Sequence, residues 1–154
     1  MSDGPEAHGP GASCPGARSQ LGVDRRLRAE LDRLGEEFLA DFLGREVERH
    51  PWNAPALADL AHVLTRLGRL EEGLAIDLRL VRLEPDNPTV HYNLACSLAL
   101  LGRTDESLDA LEASVAFGYD DAEHLIADDD LASLREDERF VSLMRKLERE
   151  RELL

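Results

Sequence analysis

The sequence repeats itself at an interval of 34 residues, and this repeat restricts the fold more than any other feature of the chain. When the segment 53–86 is aligned with the segment 87–120, most identical positions are apolar or small and recur every three or four residues, as on one face of a helix. The identical pairs are Asn53/Asn87, Leu60/Leu94, Ala61/Ala95, Leu64/Leu98, Leu67/Leu101, Gly68/Gly102, Arg69/Arg103, Glu72/Glu106, Leu74/Leu108, Val81/Val115 and Asp86/Asp120.

Each unit is predicted to form a helix, a short turn and a second helix. A Gly-Arg pair separates the two helical patterns in both units, and its glycine, Gly68 or Gly102, suits the left-handed turn in which many helices end. Asn53 and Asn87 are residues of the type that caps helix N-termini, and Pro88 suits the first position of a helix.

A helix–turn–helix unit of 34 residues resembles the tetratricopeptide repeat. The resemblance is carried by "LAHVLTRLGRLEEGLAIDLRLVRLEP" and "YNLACSLALLGRTDESLDALEASV" and covers about 53–119. The family's small residue in the first helix, its turn glycine and its closing proline correspond to Ala61, Ala95, Gly68, Gly102 and Pro85. The chain departs from the family at Gly73 and Ser107, where alanine is usual, and at Tyr119, where the second unit would have proline. The resemblance implies a short antiparallel helix-pair solenoid, with a concave groove lined by the first helix of each unit.

Two such units alone would leave apolar faces uncovered at both ends. The stretch 23–50 is predicted to cover the face at the N-terminal end of the two units, which is called the front, as a capping helix or a degenerate repeat. Gly35 and Gly44 weaken its helical pattern, so the sequence leaves open whether it is one helix or two with a break near Gly35. Its apolar stripe comprises Leu27, Leu31, Leu34, Phe38 and Phe42 and continues to Val47.

The stretch 121–154 is predicted to form a helical cap over the face at the C-terminal end of the two units, which is called the back. Its apolar face comprises Leu125, Ile126, Leu131, Leu134, Phe140, Leu143, Met144 and Leu147. The region also resembles the end-of-group segment that closes some bacterial tetratricopeptide arrays, which implies a capping role. The matching pairs are Gly118-Tyr119, Asp130-Leu131, Leu134-Arg135 and Arg139-Phe140.

Composition favours an all-α domain that follows a disordered tail. Apolar residues make up 43% of the chain and aromatic residues only 5%, so the core must consist mainly of Leu, Ala and Val. Leu and Ala are also good helix formers. The segment 1–22 is rich in Gly, Pro, Ala and Ser and is predicted to be disordered. His8 and Cys14 lie in it, and two isolated side chains do not predict a metal site.

The formal net charge of −14 restricts the classes of partner. A protein this acidic repels phosphate backbones and anionic lipid surfaces, so neither nucleic acid nor a membrane is a predicted partner. A basic protein or peptide would be attracted by this charge and is a better candidate partner. A second interpretation is that the charge keeps the protein soluble. The sequence contains no recognisable signal peptide and no uncharged apolar run long enough to span a membrane, so the expected compartment is the cytoplasm.

The stretch "HYNLACSLALLGR" places His91, Asn93 and Cys96 within six residues, and these are the residue types of a cysteine nucleophile, its base and an orienting amide. At about 100° per residue, Asn93 and Cys96 share one side of a helix while His91 points largely away. His62 holds the position equivalent to Cys96 one repeat earlier, so an enzyme that uses Cys96 with His62 or Asp59 is one alternative. The sequence has no glycine-rich phosphate loop, zinc-ligand pair or Ser-His-Asp spacing, and we predict a non-catalytic protein without cofactor or metal.

The segment 120–138 contains nine acidic residues and a single base, Arg135. It lacks the alternating acids, central glycine and terminal glutamate of a calcium-binding loop. We expect these acids to occupy turns and first helical turns, where helix N-termini favour negative charge. An acidic patch that binds a basic partner is a second interpretation.

The predicted binding site is the groove. The polar and aromatic residues expected to face or flank it are Asp59, His62, Arg66, Tyr92, Asn93 and Cys96. Such a groove can hold an extended peptide or a helix through aromatic contact and amide hydrogen bonds. Members of the family that bind a peptide carboxylate use several Lys and Asn residues in this groove. Only Asn93 matches them, so an acidic peptide tail is not the expected ligand.

The predicted function is a scaffold or adaptor, and a structural subunit that assembles through the solenoid edges is a further alternative. The partner and the oligomeric state stay open.

Overall fold

The computed structural model describes residues 24–152, and every regular element in this range is helical, as predicted. The α-helices are α1 (Arg25–Arg49), α2 (Ala54–Arg66), α3 (Leu70–Leu83), α4 (Pro88–Leu100), α5 (Thr104–Ala116), α6 (Ala122–Ala127) and α7 (Glu138–Glu152), and a 3₁₀ helix (Asp129–Leu134) lies between α6 and α7. The tail predicted for 1–22 lies outside the described residues. None of these helices is both long and apolar enough to cross a membrane.

Consecutive helices pack against one another from α1 to α5, and the 3₁₀ helix packs against α4. Helices α2 and α3 begin at Ala54 and Leu70, and α4 and α5 begin 34 residues later, at Pro88 and Thr104. The two helix pairs therefore follow the interval of the sequence repeat.

Local sequence determines where these helices start and stop. The side chains of Asn53 and Asn87 accept hydrogen bonds from backbone amides of the helices that follow them, at 3.2 and 3.0 Å, so both predicted N-caps are confirmed. Gly68 and Gly102 have φ angles of 75° and 72°. These are left-handed conformations that glycine adopts without strain, which confirms the predicted turns.

Small residues let the two helices of each pair approach closely. A Cβ atom on Gly73 of α3 would lie 3.1 Å from Thr65 Oγ1 of α2. At the equivalent place in the second pair, the fully buried Ser107 donates a hydrogen bond to the carbonyl oxygen of Ala95 at 2.6 Å. The departures from alanine at these two positions are therefore compatible with close packing.

The buried apolar side chains form two clusters. One lies mainly between α1, α2 and α3, and the other joins α4 and α5 to the 3₁₀ helix, α6 and α7. In the second cluster, Leu125, Leu131 and Leu134 are completely buried. The apolar face predicted for the back of the molecule is buried except for Ile126, which is 43% exposed.

The packing face predicted for the front segment is wrong except at its last residue, Val47, which is buried. Helix α1 is continuous through Gly35, and it contacts α2 through the buried residues Ala40, Leu43 and Val47. These three lie on nearly the opposite side of the helix from the five earlier residues of the predicted stripe. Those five residues are exposed instead: Leu27, Leu31, Leu34, Phe38 and Phe42. The physical reason is that α2 has only 13 residues and covers only the second half of α1, where a narrow face built around Ala40 permits close approach.

Candidate binding groove

A half-open groove of about 550 Å³ lies between α2, α4 and the segment that joins α6 to the 3₁₀ helix. Its walls combine small, aromatic and acidic side chains. The lining residues are Ala58, Ala61, His62, Thr65, Asp77, Tyr92, Asn93, Cys96, Ser97, His124, Ala127, Asp128, Asp129 and Asp130.

Four of the predicted site residues meet in this groove: His62, Tyr92, Asn93 and Cys96. The other two, Asp59 and Arg66, do not line it. Asp59 is exposed on α2, and the guanidinium of Arg66 forms an ion pair with Glu36 of α1. The prediction for Arg66 could not include this contact because it depends on how α1 crosses α2.

His91 lies away from the groove, as the helical angles predict. Its Nε2 atom is 2.7 Å from the carbonyl oxygen of Pro85, and its ring stacks on that of Phe117 with 5.1 Å between centroids. His91 therefore cannot act on Cys96 in this arrangement.

Tyr92 connects α4 to the back of the molecule. Its hydroxyl donates a hydrogen bond to the carboxylate of Asp128 and lies 2.9 Å from Nε2 of His124, from which it can accept one. Its ring stacks on that of Tyr119 with 5.1 Å between centroids. Burial, followed by the hydrogen bond to Asp128, raises the pKa of Tyr92 above its usual range. Tyr92 is thus a structural part of the groove wall and not a free contact residue.

The thiol of Cys96 points at the same carboxylate. Its Sγ atom lies 3.6 Å from Oδ2 of Asp128. Burial and then the negative charge of Asp128 raise the pKa of the Cys96 thiol well above its ordinary value. The thiol therefore stays protonated at neutral pH, which disfavours a nucleophilic role.

The acidic segment forms one wall of the groove. Asp121 and Asp128 accept hydrogen bonds from backbone amides at the starts of α6 and the 3₁₀ helix, at 2.9 and 3.0 Å, which confirms for these two residues the predicted position at helix starts. Asp128 and Asp130 also bring carboxylate oxygens within 4.8 Å of each other and of Cys96 Sγ, so these three side chains form a group that could hold a metal ion. The acidic run thus contributes both to local structure and to the charge of the groove.

Sequence reasoning missed a buried polar pair in the groove, Asp77 of α3 and Ser97 of α4. The hydroxyl of Ser97 donates a hydrogen bond of 2.5 Å to Oδ2 of Asp77, and both residues are at least 95% buried. Burial raises the pKa of Asp77 to about 6, although the hydrogen bond from Ser97 opposes this shift. The available signal was a mismatch within the repeat, because the equivalent positions are Leu111 and Val63, both buried and apolar.

Comparison with known proteins finds no family model that matches the chain and no curated protein that matches it.

Proposed function

We propose that the protein is a non-catalytic scaffold or adaptor that holds a segment of a partner protein in the groove. The observation that carries this proposal is the groove itself, which is about 550 Å³ in volume and is lined by equivalent faces of two equivalent helices. A concave surface of this kind, with apolar, aromatic and amide groups, suits a peptide or helix.

The same proposal assigns 53–120 to two tetratricopeptide-like units in a short solenoid. It is supported by helix pairs that begin at the 34-residue interval and by the matching turn glycines. A further repeated contact is the pairing of Arg69 with Glu72 and of Arg103 with Glu106, at 2.6 and 2.5 Å. The assignment agrees with the groove being lined by residues of both first helices, α2 and α4.

Asn93 and His62 are the groove residues best placed to contact a partner. The side chain of Asn93 makes no hydrogen bond within the part of the chain that the structure describes, and His62 is exposed. An amide with free donors and acceptors can pair with the backbone of an extended peptide. Four aspartates line the same groove, namely Asp77, Asp128, Asp129 and Asp130, and they favour a basic segment.

The test is affinity capture from a native extract with the wild-type protein and two variants. The double variant His62→Ala, Asn93→Ala removes the groove contacts, while Asp59→Ala is the matched control on the same helix as His62. We expect partners bound by wild type and by the control to be lost from the double variant. The same partners on all three proteins would remove the groove from the proposal. Tyr92 is left intact because its loss would also disturb the contact between α4 and the back of the molecule.

A structural subunit that assembles with copies of itself is a second candidate, favoured by the exposed stripe of α1. Leu31 and Phe38 of this stripe are 54% and 72% exposed, and large uncovered apolar faces on helices commonly mark contact surfaces. Sedimentation over a concentration series tests it. An oligomer that Leu31→Glu, Phe38→Glu dissociates would support self-assembly, and a monomer at all concentrations would exclude it. A Cys96-dependent enzyme is the third reading, and the raised pKa of the thiol speaks against it.

A further inference from the structure

The first half of α1 has no buried side chain within the part of the chain that the structure describes. The buried residues of this helix begin at Ala40 and continue with Leu43 and Val47. A helix of about fifteen residues is only marginally stable in water without tertiary contacts. The first half of α1 therefore lacks the packing that stabilises its second half.

This half carries most of the exposed apolar stripe of α1. The five side chains of the exposed stripe are each at least 50% exposed, namely Leu27, Leu31, Leu34, Phe38 and Phe42. They lie three or four residues apart and so share one face of the helix, over a length of about 22 Å. A row of this kind is the seam that a second amphipathic helix of about four turns can cover.

The two edges of the exposed stripe differ in charge. Helical geometry places Glu30, Glu37 and Asp41 along one edge, each within about 100° of the midline of the stripe, and all three are exposed. Along the other edge, the same stretch has one charged residue, Arg28. Glu37 pairs with Arg33 at 3.0 Å, but both side chains are largely exposed, and such pairs contribute little. The exposed stripe thus has one acidic edge.

We infer that the exposed stripe is a docking surface for an amphipathic helix of a partner protein, with lysine or arginine along the edge that meets Glu30, Glu37 and Asp41. The apolar side chains provide the burial, and the edge charges select the partner and its orientation, as they do beside the seam of a coiled coil. No residue of α1 lines the groove, so this surface is separate from the function proposed above.

A second copy of the same helix is the competing occupant. In an antiparallel pair, the two-fold axis brings like edges together, so the acidic edges of the two copies would repel each other. In a parallel pair, the acidic edge would meet the opposite edge, where Gly35 and Leu39 carry no charge. Neither arrangement places the acidic edge against a row of cations, whereas a basic amphipathic helix does.

The test is the binding of three synthetic peptides to the full-length protein, measured by isothermal titration calorimetry. Each peptide has about 16 residues, enough to span the exposed stripe. The first has leucines at helical spacing and lysines along one edge, the second has Glu in place of each Lys, and the third keeps the lysines but has Ala in place of each Leu. We expect saturable binding of the first peptide, binding of the second that is about tenfold weaker or less, and no binding of the third.

A charge-reversed variant tests the acidic edge itself. Glu37→Lys combined with Asp41→Lys should reverse the preference, so that the Glu peptide binds more tightly than the Lys peptide. The matched control is Asp59→Lys combined with Glu148→Lys, which changes the net charge equally at exposed sites outside α1. The control should keep the wild-type preference.

Two further variants locate the bound peptide. Phe38→Glu interrupts the exposed stripe and should abolish binding of the Lys peptide, whereas the groove variant His62→Ala, Asn93→Ala should bind it as wild type does. The inference is overturned by equal binding of the Lys and Glu peptides, or by an unchanged preference in the charge-reversed variant. Binding that the groove variant loses and Phe38→Glu keeps would assign the peptide to the groove instead. A dimer without peptide that Phe38→Glu dissociates would assign the exposed stripe to a second copy.

Discussion

Leu125, Leu131 and Leu134 at the back of the molecule are completely buried, whereas Leu27, Leu31 and Leu34 at the front are about half exposed. Both sets belong to stretches that are predicted to form helical caps over the repeat units. At the back, α6, the 3₁₀ helix and α7 fold over α4 and α5 and cover the apolar side chains. At the front, a single continuous helix contacts α2 on one face and leaves its more apolar face open. The apolar residues thus predict helical caps in both regions but do not by themselves tell which face will be covered.

The largest expected change in stability distinguishes the back of the molecule from the front. Leu131→Ala removes a completely buried side chain and should lower the free energy of unfolding by about 2–5 kcal/mol. Leu31→Ala, the matched change in α1, should alter it by less than about 0.5 kcal/mol because little is buried there. Urea denaturation of both variants measures the difference. Similar losses of stability would mean that the front stripe is covered in solution.

A second prediction concerns the buried acid. The pKa of Asp77 is raised to about 6, so the folded state binds more protons than the unfolded state between about pH 4 and pH 6. The contribution of Asp77 to stability therefore falls as pH rises through this window and stays low above it. Asp77→Asn removes this loss and should raise the free energy of unfolding at pH 7.5 by about 1–3 kcal/mol.

The measurement is denaturation of wild type and Asp77→Asn at pH 4.5 and pH 7.5. The advantage of the variant should appear at the higher pH and shrink at the lower one. A variant that is less stable than wild type at pH 7.5 would mean that the carboxylate has a partner within the protein. Asp59→Asn, at an exposed site, is the matched control for the change from acid to amide.

The smallest predicted changes in the free energy of unfolding have opposite signs at two glycines, one in the turn after α4 and one in α1. Gly102 has a φ of 72°, so Gly102→Ala should lower the free energy of unfolding by about 1 kcal/mol. Gly35 lies inside the exposed part of α1, where an added Cβ would meet nothing within 4 Å. Gly35→Ala should therefore stabilise the protein by up to about 1 kcal/mol. Thermal unfolding resolves both changes, and a loss of stability with Gly35→Ala would show that α1 bends or packs at this glycine.

The sequence predicted features that depend on neighbours in the chain. The caps at Asn53 and Asn87 and the turns at Gly68 and Gly102 follow from local chemistry, and the repeat interval placed His62 and Cys96 in one groove. The packing face of α1 was missed because a narrow face built around Ala40 competes with a longer leucine stripe, and only the position of α2 decides between them.

Asp77 was missed for a different reason. Its repeat equivalent is Leu111, which indicates a buried position, but an acid is normally assigned to the surface. The contact that lets this acid be buried, the hydrogen bond from Ser97, comes from another helix and is not visible in the local sequence. A long-range contact also explains why Arg66 does not line the groove, because its guanidinium pairs with Glu36 of α1.

The two surfaces can be compared most directly by photo-crosslinking in a native extract. The crosslinking residue p-benzoylphenylalanine is placed either at position 58 in the groove, which leaves His62 and Asn93 intact, or at position 31 on the exposed stripe. The function proposed above predicts crosslinks from position 58 to a partner segment that contains lysine or arginine. Crosslinks from position 31 alone, with none from position 58, would contradict it and would make α1 the contact surface of the protein.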